Sequence, residues 1–147
     1  MEQSKSAGAV IYYLDSEKVY FLLLKYPTYW GFAKGWVEEN ESEEETAVRE
    51  IEEETGLKNA QIIPGFRHEQ RWMFKLEGNM INRHAIFFLV RVSKDDAEKV
   101  RISDEHDDFA WLSYEDAIKK MRVKQNKEML ASALEFIKNI EKQKRLF

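Results

Sequence analysis

Glu50, Glu53 and Glu54 stand at i, i+3 and i+4, so on a helix their three carboxylates share one face. Carboxylates this close repel, and like charges at helical spacing cost stability. A cation among them removes that cost. Hard oxygen donors favour Mg²⁺, Mn²⁺ or Ca²⁺ over Zn²⁺, and the chain has no Cys. A solvated acidic helix is the plain alternative, and Glu43, Glu44, Glu45 and Glu52 fit it. That alternative does not account for Arg49 inside the acidic cluster, nor for Gly35 and Gly56 at either end.

The elements that must hold these groups can be read locally. Ser42 followed by Glu45 forms a capping box that opens a helix, and Gly56 is its stop. Ala47, Val48 and Ile51 form an apolar stripe that anchors the helix. Upstream, 6–13 and 19–24 read as strands joined by a turn at Asp15, Ser16, Glu17 and Lys18, and 26–34 as a loop rich in aromatics. Downstream, 60–63 and 66–74 read as extended on either side of Pro64, with a turn at Glu77, Gly78 and Asn79. A strongly apolar strand follows at 85–92 and a short one at 109–112. Ser113 caps a helix to about Met121, and a last helix covers 125–142. Its stripe is Leu130, Ala133, Leu134, Ile137 and Ile140, and Lys138, Lys142 and Lys144 suit its C-terminal end. Strands before and after a buried helix point to an α/β sandwich.

The chain has 147 residues, the size of one domain, 1–147, with no linker or repeat. Its net charge of −4 excludes a uniformly basic nucleic-acid surface but not a local basic groove. No segment is long enough to span a bilayer, and no signal-type stretch opens the chain. No disulfide can form, which is compatible with a cytoplasmic location.

The run GWVEENESEEETAVREIEEETGL, 35–57, fits G-x5-E-x7-R-E-U-x-E-E-x-G-U, where U is a bulky aliphatic residue. The chain thereby resembles the Nudix hydrolases over most of its length. The resemblance implies the Nudix fold, an α/β/α sandwich with a mixed sheet between helices. It also implies metal-dependent hydrolysis of a nucleoside diphosphate linked to another group. Glu50, Glu53 and Glu54 become metal ligands, with Gly35 at the metal site. Arg49 orients the carboxylates and Glu41 belongs to the outer site. Mg²⁺ is the expected cation, with Mn²⁺ as the alternative. Family members use different glutamates as general base, which leaves Glu50, Glu54 and a residue outside the run open for that role.

The flanking segments FLLLKYPTYWGFAKGWVE, SDEHDDFAWLSYEDA and KQNKEMLASALEFI are similar to the asymmetric diadenosine tetraphosphate hydrolases, a branch that releases ATP and AMP. This similarity implies that Lys34 contacts phosphate and that Glu105, beside His106, is a further metal ligand or base. Trp72 would stack on adenine, and Arg83 stands where the branch has a lysine. The chain departs from the branch's P-P-K-G-H with Phe32, Ala33, Lys34, Gly35 and Trp36. Tyr29 is a second stacking candidate, whereas Trp30 and Trp111 read as core. Arg67, His68, Arg71 and Arg83 could form a phosphate groove or an ordinary solvated face. Three readings result. One is asymmetric hydrolysis of the tetraphosphate. Another is a pyrophosphohydrolase acting on RNA 5′ ends or on oxidised nucleoside triphosphates. The third is a nucleotide-sensing module without catalysis, against which the intact carboxylate set argues.

Overall fold

The computed structural model describes residues 2–146, with side chains from residue 5 onward. In chain order the strands are β1 (Glu2–Asp15), β2 (Lys18–Lys25), β3 (Trp30–Gly31), β4 (Ala33–Trp36), β5 (Gln61–Leu76), β6 (Asn79–Arg91) and β7 (Asp108–Leu112). The helices are α1 (Glu43–Thr55), α2 (Lys94–Ala97), α3 (Tyr114–Lys120) and α4 (Lys124–Leu146). The strands form a sheet in the order β3-β2-β1-β6-β5, with β4 also paired to β1 and β7 to β2. β1 runs parallel to β6, and the other pairings are antiparallel.

Successive strand residues point to opposite faces, and both faces here are apolar. Val10, Tyr12, Phe87 and Leu89 pack under Met129, Leu130, Ala133 and Ile137 of α4. Ile11, Leu22 and Val90 pack under Ile51 of α1 and Ala97 of α2. Ala47 of α1 seats on Ile86 and Phe88. The expected α/β/α sandwich is therefore present.

Local chemistry sets the helix ends as expected. Ser42 Oγ accepts from the Glu45 N–H at 3.0 Å, and Glu45 Oε1 accepts from the Ser42 N–H at 2.9 Å. Gly56, at φ 75°, closes α1 by donating its N–H to the Glu52 carbonyl. The β5–β6 turn falls on Glu77 and Gly78, both at positive φ, which matches the twist of tight hairpins.

Several elements run longer than the sequence reading gave them, β6 most of all, since it begins at Asn79, and other details differ as well. Val48 is exposed rather than part of the buried stripe. The aromatic loop contains β3 and the start of β4. β5 continues through Pro64, with a register irregularity between Ile62 and Arg67 that includes Gly65 at φ 97°. Proline cannot donate to a ladder, and bulges are where sheets tolerate it. α2 was unforeseen; its four residues are too few for a periodic signal.

Candidate active site

The site begins where β4 pairs with β1. A Cβ on Gly8 would lie 1.9 Å from the Ala33 carbonyl oxygen, so only glycine permits this approach. β4 then presses Gly35 onto α1, where a Cβ would stand 2.0 Å from Glu50 Cδ. The glycine that opens the motif thus leaves room for a motif carboxylate. One residue earlier, the Lys34 N–H donates to Glu54 Oε2 at 3.0 Å.

Arg49 organises the exposed side of α1. Its guanidinium donates to Glu41 Oε2 at 2.7 Å, Glu41 Oε1 at 3.0 Å, Glu50 Oε1 at 2.8 Å and the Trp36 carbonyl at 3.0 Å, with longer contacts to Glu53. Arginine itself therefore relieves much of the repulsion between Glu50 and Glu53. Hydrogen bonds from Arg49 and Thr46 hold the Glu41 carboxyl down at about 2.

The far end of α1 is completed by residues 101–107. The N–H of Arg101 and that of Ser103 donate to the carbonyls of Thr55 and Glu54 at 2.9 and 3.1 Å, satisfying helix-end acceptors that have no partner within the helix. This pinning brings Glu105 and His106 to Glu54. His106 is buried, its Nε2 lies 3.3 Å from Glu54 Oε1, and its ring meets the Tyr26 ring edge-on. One ligand atom from each of Glu54, Glu105 and His106 lies within 4.8 Å of the others. Ligands on opposite sides of a Mg²⁺ ion stand roughly 4 Å apart, so small side-chain adjustments would let one ion reach all three. The donor set fits a divalent cation, with a nitrogen from His106, which the sequence reading named only as the neighbour of Glu105. Its place next to Glu105, two residues ahead of β7, was the available signal.

Glu54 is 3% exposed. Burial, reinforced by the charge of Glu50, pushes its pKa up to about 8, against the opposing Lys34 N–H. Burial lowers the pKa of His106. In metal-free protein at neutral pH the proton therefore resides on Glu54 beside a neutral imidazole. The folded value lies above the ordinary 4.5, so the folded state keeps a proton that the unfolded chain loses. Stability should then fall as pH rises from about 4.5 to about 8, by at most a few kcal/mol on the order of 1.4 per pKa unit. Glu54→Gln should flatten this slope, and Mg²⁺ should stabilise the protein more at pH 8.5 than at pH 6, because the ligand must be deprotonated. Denaturation midpoints against pH, with chelator and with Mg²⁺, test this. An unchanged slope in the variant would show that Glu54 does not carry the proton.

A cavity of about 260 Å³ adjoins these groups, and Lys34, Gly35, Trp72, Arg83, Glu54 and Glu105 all line it. Lys34 Nζ lies 5.2 Å from the Trp72 ring centroid, and Arg83 lies over Trp36 at 4.8 Å and Phe74 at 5.6 Å. Burial lowers the pKa of Lys34. Trp72 is half-buried against the α4-side core while also lining the cavity. Tyr29 is separate: it stacks on Tyr26 at 4.8 Å and lines a neighbouring cavity. Of the four residues in the suggested phosphate groove, Arg83 alone lines this cavity. Arg67 bonds Glu43, Arg71 bonds Glu69, and His68 stacks beside Phe66. Trp30 and Trp111 pack on the two cores as expected. Another cavity, of about 400 Å³ between the β1–β2 turn and the end of α4, contains none of the motif residues. Among the described residues no helix is long and apolar enough to cross a membrane.

The NUDIX domain matches residues 4–133, and the chain belongs to this family of hydrolases. It is 33% identical over 129 residues, 84% of each chain, to the asymmetrical bis(5′-nucleosyl)-tetraphosphatase of Mus musculus. The crystal structure of a C. elegans Ap4A hydrolase binary complex superposes with a TM-score of 0.80 at 28% identity, covering 92% of this chain and 98% of that one. An RNA pyrophosphohydrolase of Pseudoalteromonas translucida is 29% identical over 99 residues, 58% of this chain and 56% of that protein.

Proposed function

We propose that this protein hydrolyses diadenosine tetraphosphate asymmetrically, to ATP and AMP. The observation that carries the reading is a single cavity lined by Glu54 and Glu105 together with Lys34, Arg83 and Trp72. It combines acidic groups for a cation, cations for a polyphosphate and an indole for a base. The tetraphosphatase relative supports the substrate.

Glu54 and Glu105 would hold a divalent cation, with Glu50 and Glu53 available beside them and His106 Nε2 3.3 Å from Glu54 Oε1. When bound, such an ion neutralises phosphate oxygens and acidifies water. The residues of the chain do the positioning. Lys34 and Arg83 grip the phosphate chain, and the Arg83 fork suits phosphate geometry. Trp72 offers a stacking face to one adenine, so the two ends of the substrate are held unequally. Water then attacks an off-centre phosphorus, its oxygen joins the AMP phosphate, and ATP departs.

Purified protein with Mg²⁺ should therefore convert the substrate to ATP plus AMP. In H₂¹⁸O the label should enter AMP alone. Trp72→Ala should mainly raise KM, by roughly the 1–3 kcal/mol that stacking on an aromatic contributes. Two ADP products would refute asymmetry. No cleavage here, with release of pyrophosphate from triphosphorylated RNA, would move the protein to the RNA 5′-end reading.

A further inference from the structure

Beyond the Lys34–Trp72 pair lies the neighbouring cavity, also about 260 Å³, walled by Tyr29 and Trp72 and floored by Gln70, Gln125 and Asn126. It is smaller than the roughly 300–1,000 Å³ that whole drug-sized ligands occupy, which suits one heteroaromatic ring system. Gln70 of β5 and Asn126 of α4 are only 5% and 6% exposed, and Gln70 Nε2 donates to Asn126 Oδ1 at 3.0 Å. Burying amides is costly unless they are bonded, and this bond uses only part of their capacity. Gln70 Oε1 and Asn126 Nδ2 make no hydrogen bond with any described residue. One acceptor and one donor are thus left over, on two bonded residues that both line the cavity. If both amides turn over together, the bond between them survives and the leftover donor and acceptor merely exchange residues.

We propose that Gln70 and Asn126 are specificity-determining residues that read the edge of a 6-aminopurine seated in this cavity against Tyr29 and Trp72. The inference rests on the nucleotide-hydrolase reading above and assigns the part of the site that chooses the base. The exocyclic amino group donates to Gln70 Oε1, and an adjacent ring nitrogen accepts from Asn126 Nδ2, the two-point match by which side-chain amides recognise adenine. A neutral amide pair suits a neutral base and offers nothing to phosphate. The phosphate chain leaves the cavity past Lys34, which lines both cavities.

The test is equilibrium binding of ATP and of purine riboside 5′-triphosphate, which lacks the 6-amino group, by calorimetry in the presence of EDTA. Wild-type protein should prefer ATP by about 5- to 150-fold, the range such base-edge contacts supply. Replacing both amides together, Gln70→Leu with Asn126→Leu, leaves neither buried without its partner and should bring the ratio close to one. Equal wild-type affinities would overturn the inference without any variant. So would an undiminished ratio in the folded double variant. Discrimination in a protein that does not cleave diadenosine tetraphosphate would leave the base site standing and remove the substrate reading. Cleavage without discrimination would do the reverse.

Discussion

Glu54→Gln is expected to lower kcat by on the order of 10²-fold or more, because it removes a charged ligand from the centre of the site and metal charge stabilisation is worth several kcal/mol. The fold should survive. A glutamine oxygen can still accept the Lys34 N–H, which meets Glu54 Oε2 at 3.0 Å, and the amide needs no proton to remain neutral when buried. Exhaustive chelation of the wild type should give the same loss, reversed by adding Mg²⁺. Steady-state kinetics with melting curves separate the two causes. Near-normal turnover in the variant at saturating Mg²⁺, or activity that persists under chelation, would refute the assignment of Glu54.

Arg49→Lys should cost about 10- to 100-fold in activity or metal affinity, the usual penalty for losing a group that orients metal ligands. The charge is kept, so electrostatics alone predict little change. The fork is lost. Arg49 reaches both oxygens of Glu41, Glu50 Oε1 and the Trp36 carbonyl at once, and an ammonium cannot span that geometry. Titration of Mn²⁺ binding alongside kcat would check this. A lysine variant with wild-type affinity and turnover would mean that the network holds the helix surface and not the ligands.

The periodic and capped parts of this chain were legible in its sequence. Ser42, Glu45 and Gly56 announce α1 because caps are local chemistry. The apolar strands declare themselves because burial on two faces leaves near-continuous hydrophobic runs. What local patterns do not encode is contact across sequence distance. Val48 matches the helical stripe, yet the sheet does not reach it. Spacing puts Glu50, Glu53 and Glu54 on one face, whereas burial singles out Glu54, and His106 joins it through backbone bonds from residues 101–107 to the helix end. The amide pair was silent for the same reason: its partners lie 56 residues apart, and nothing in the segment that contains Asn126 points to Gln70.

The parallel pairing of β1 with β6 carries a kinetic consequence. It matches Ser6 with Ala85 and Val10 with Leu89, so the centre of the sheet closes only after a loop of most of the intervening chain has formed. Loop-closure entropy must be overcome before those contacts contribute, and topologies of this kind fold more slowly than helical bundles of similar stability. During synthesis α1 emerges long before β6, yet its seat on Ile86 and Phe88 does not exist until β6 has left the ribosome. Until then the acidic helix has a cap at each end and only the part of its seat that β1, β2 and β4 provide. Cation binding thus reports late in folding, after the two ends of the sheet have met.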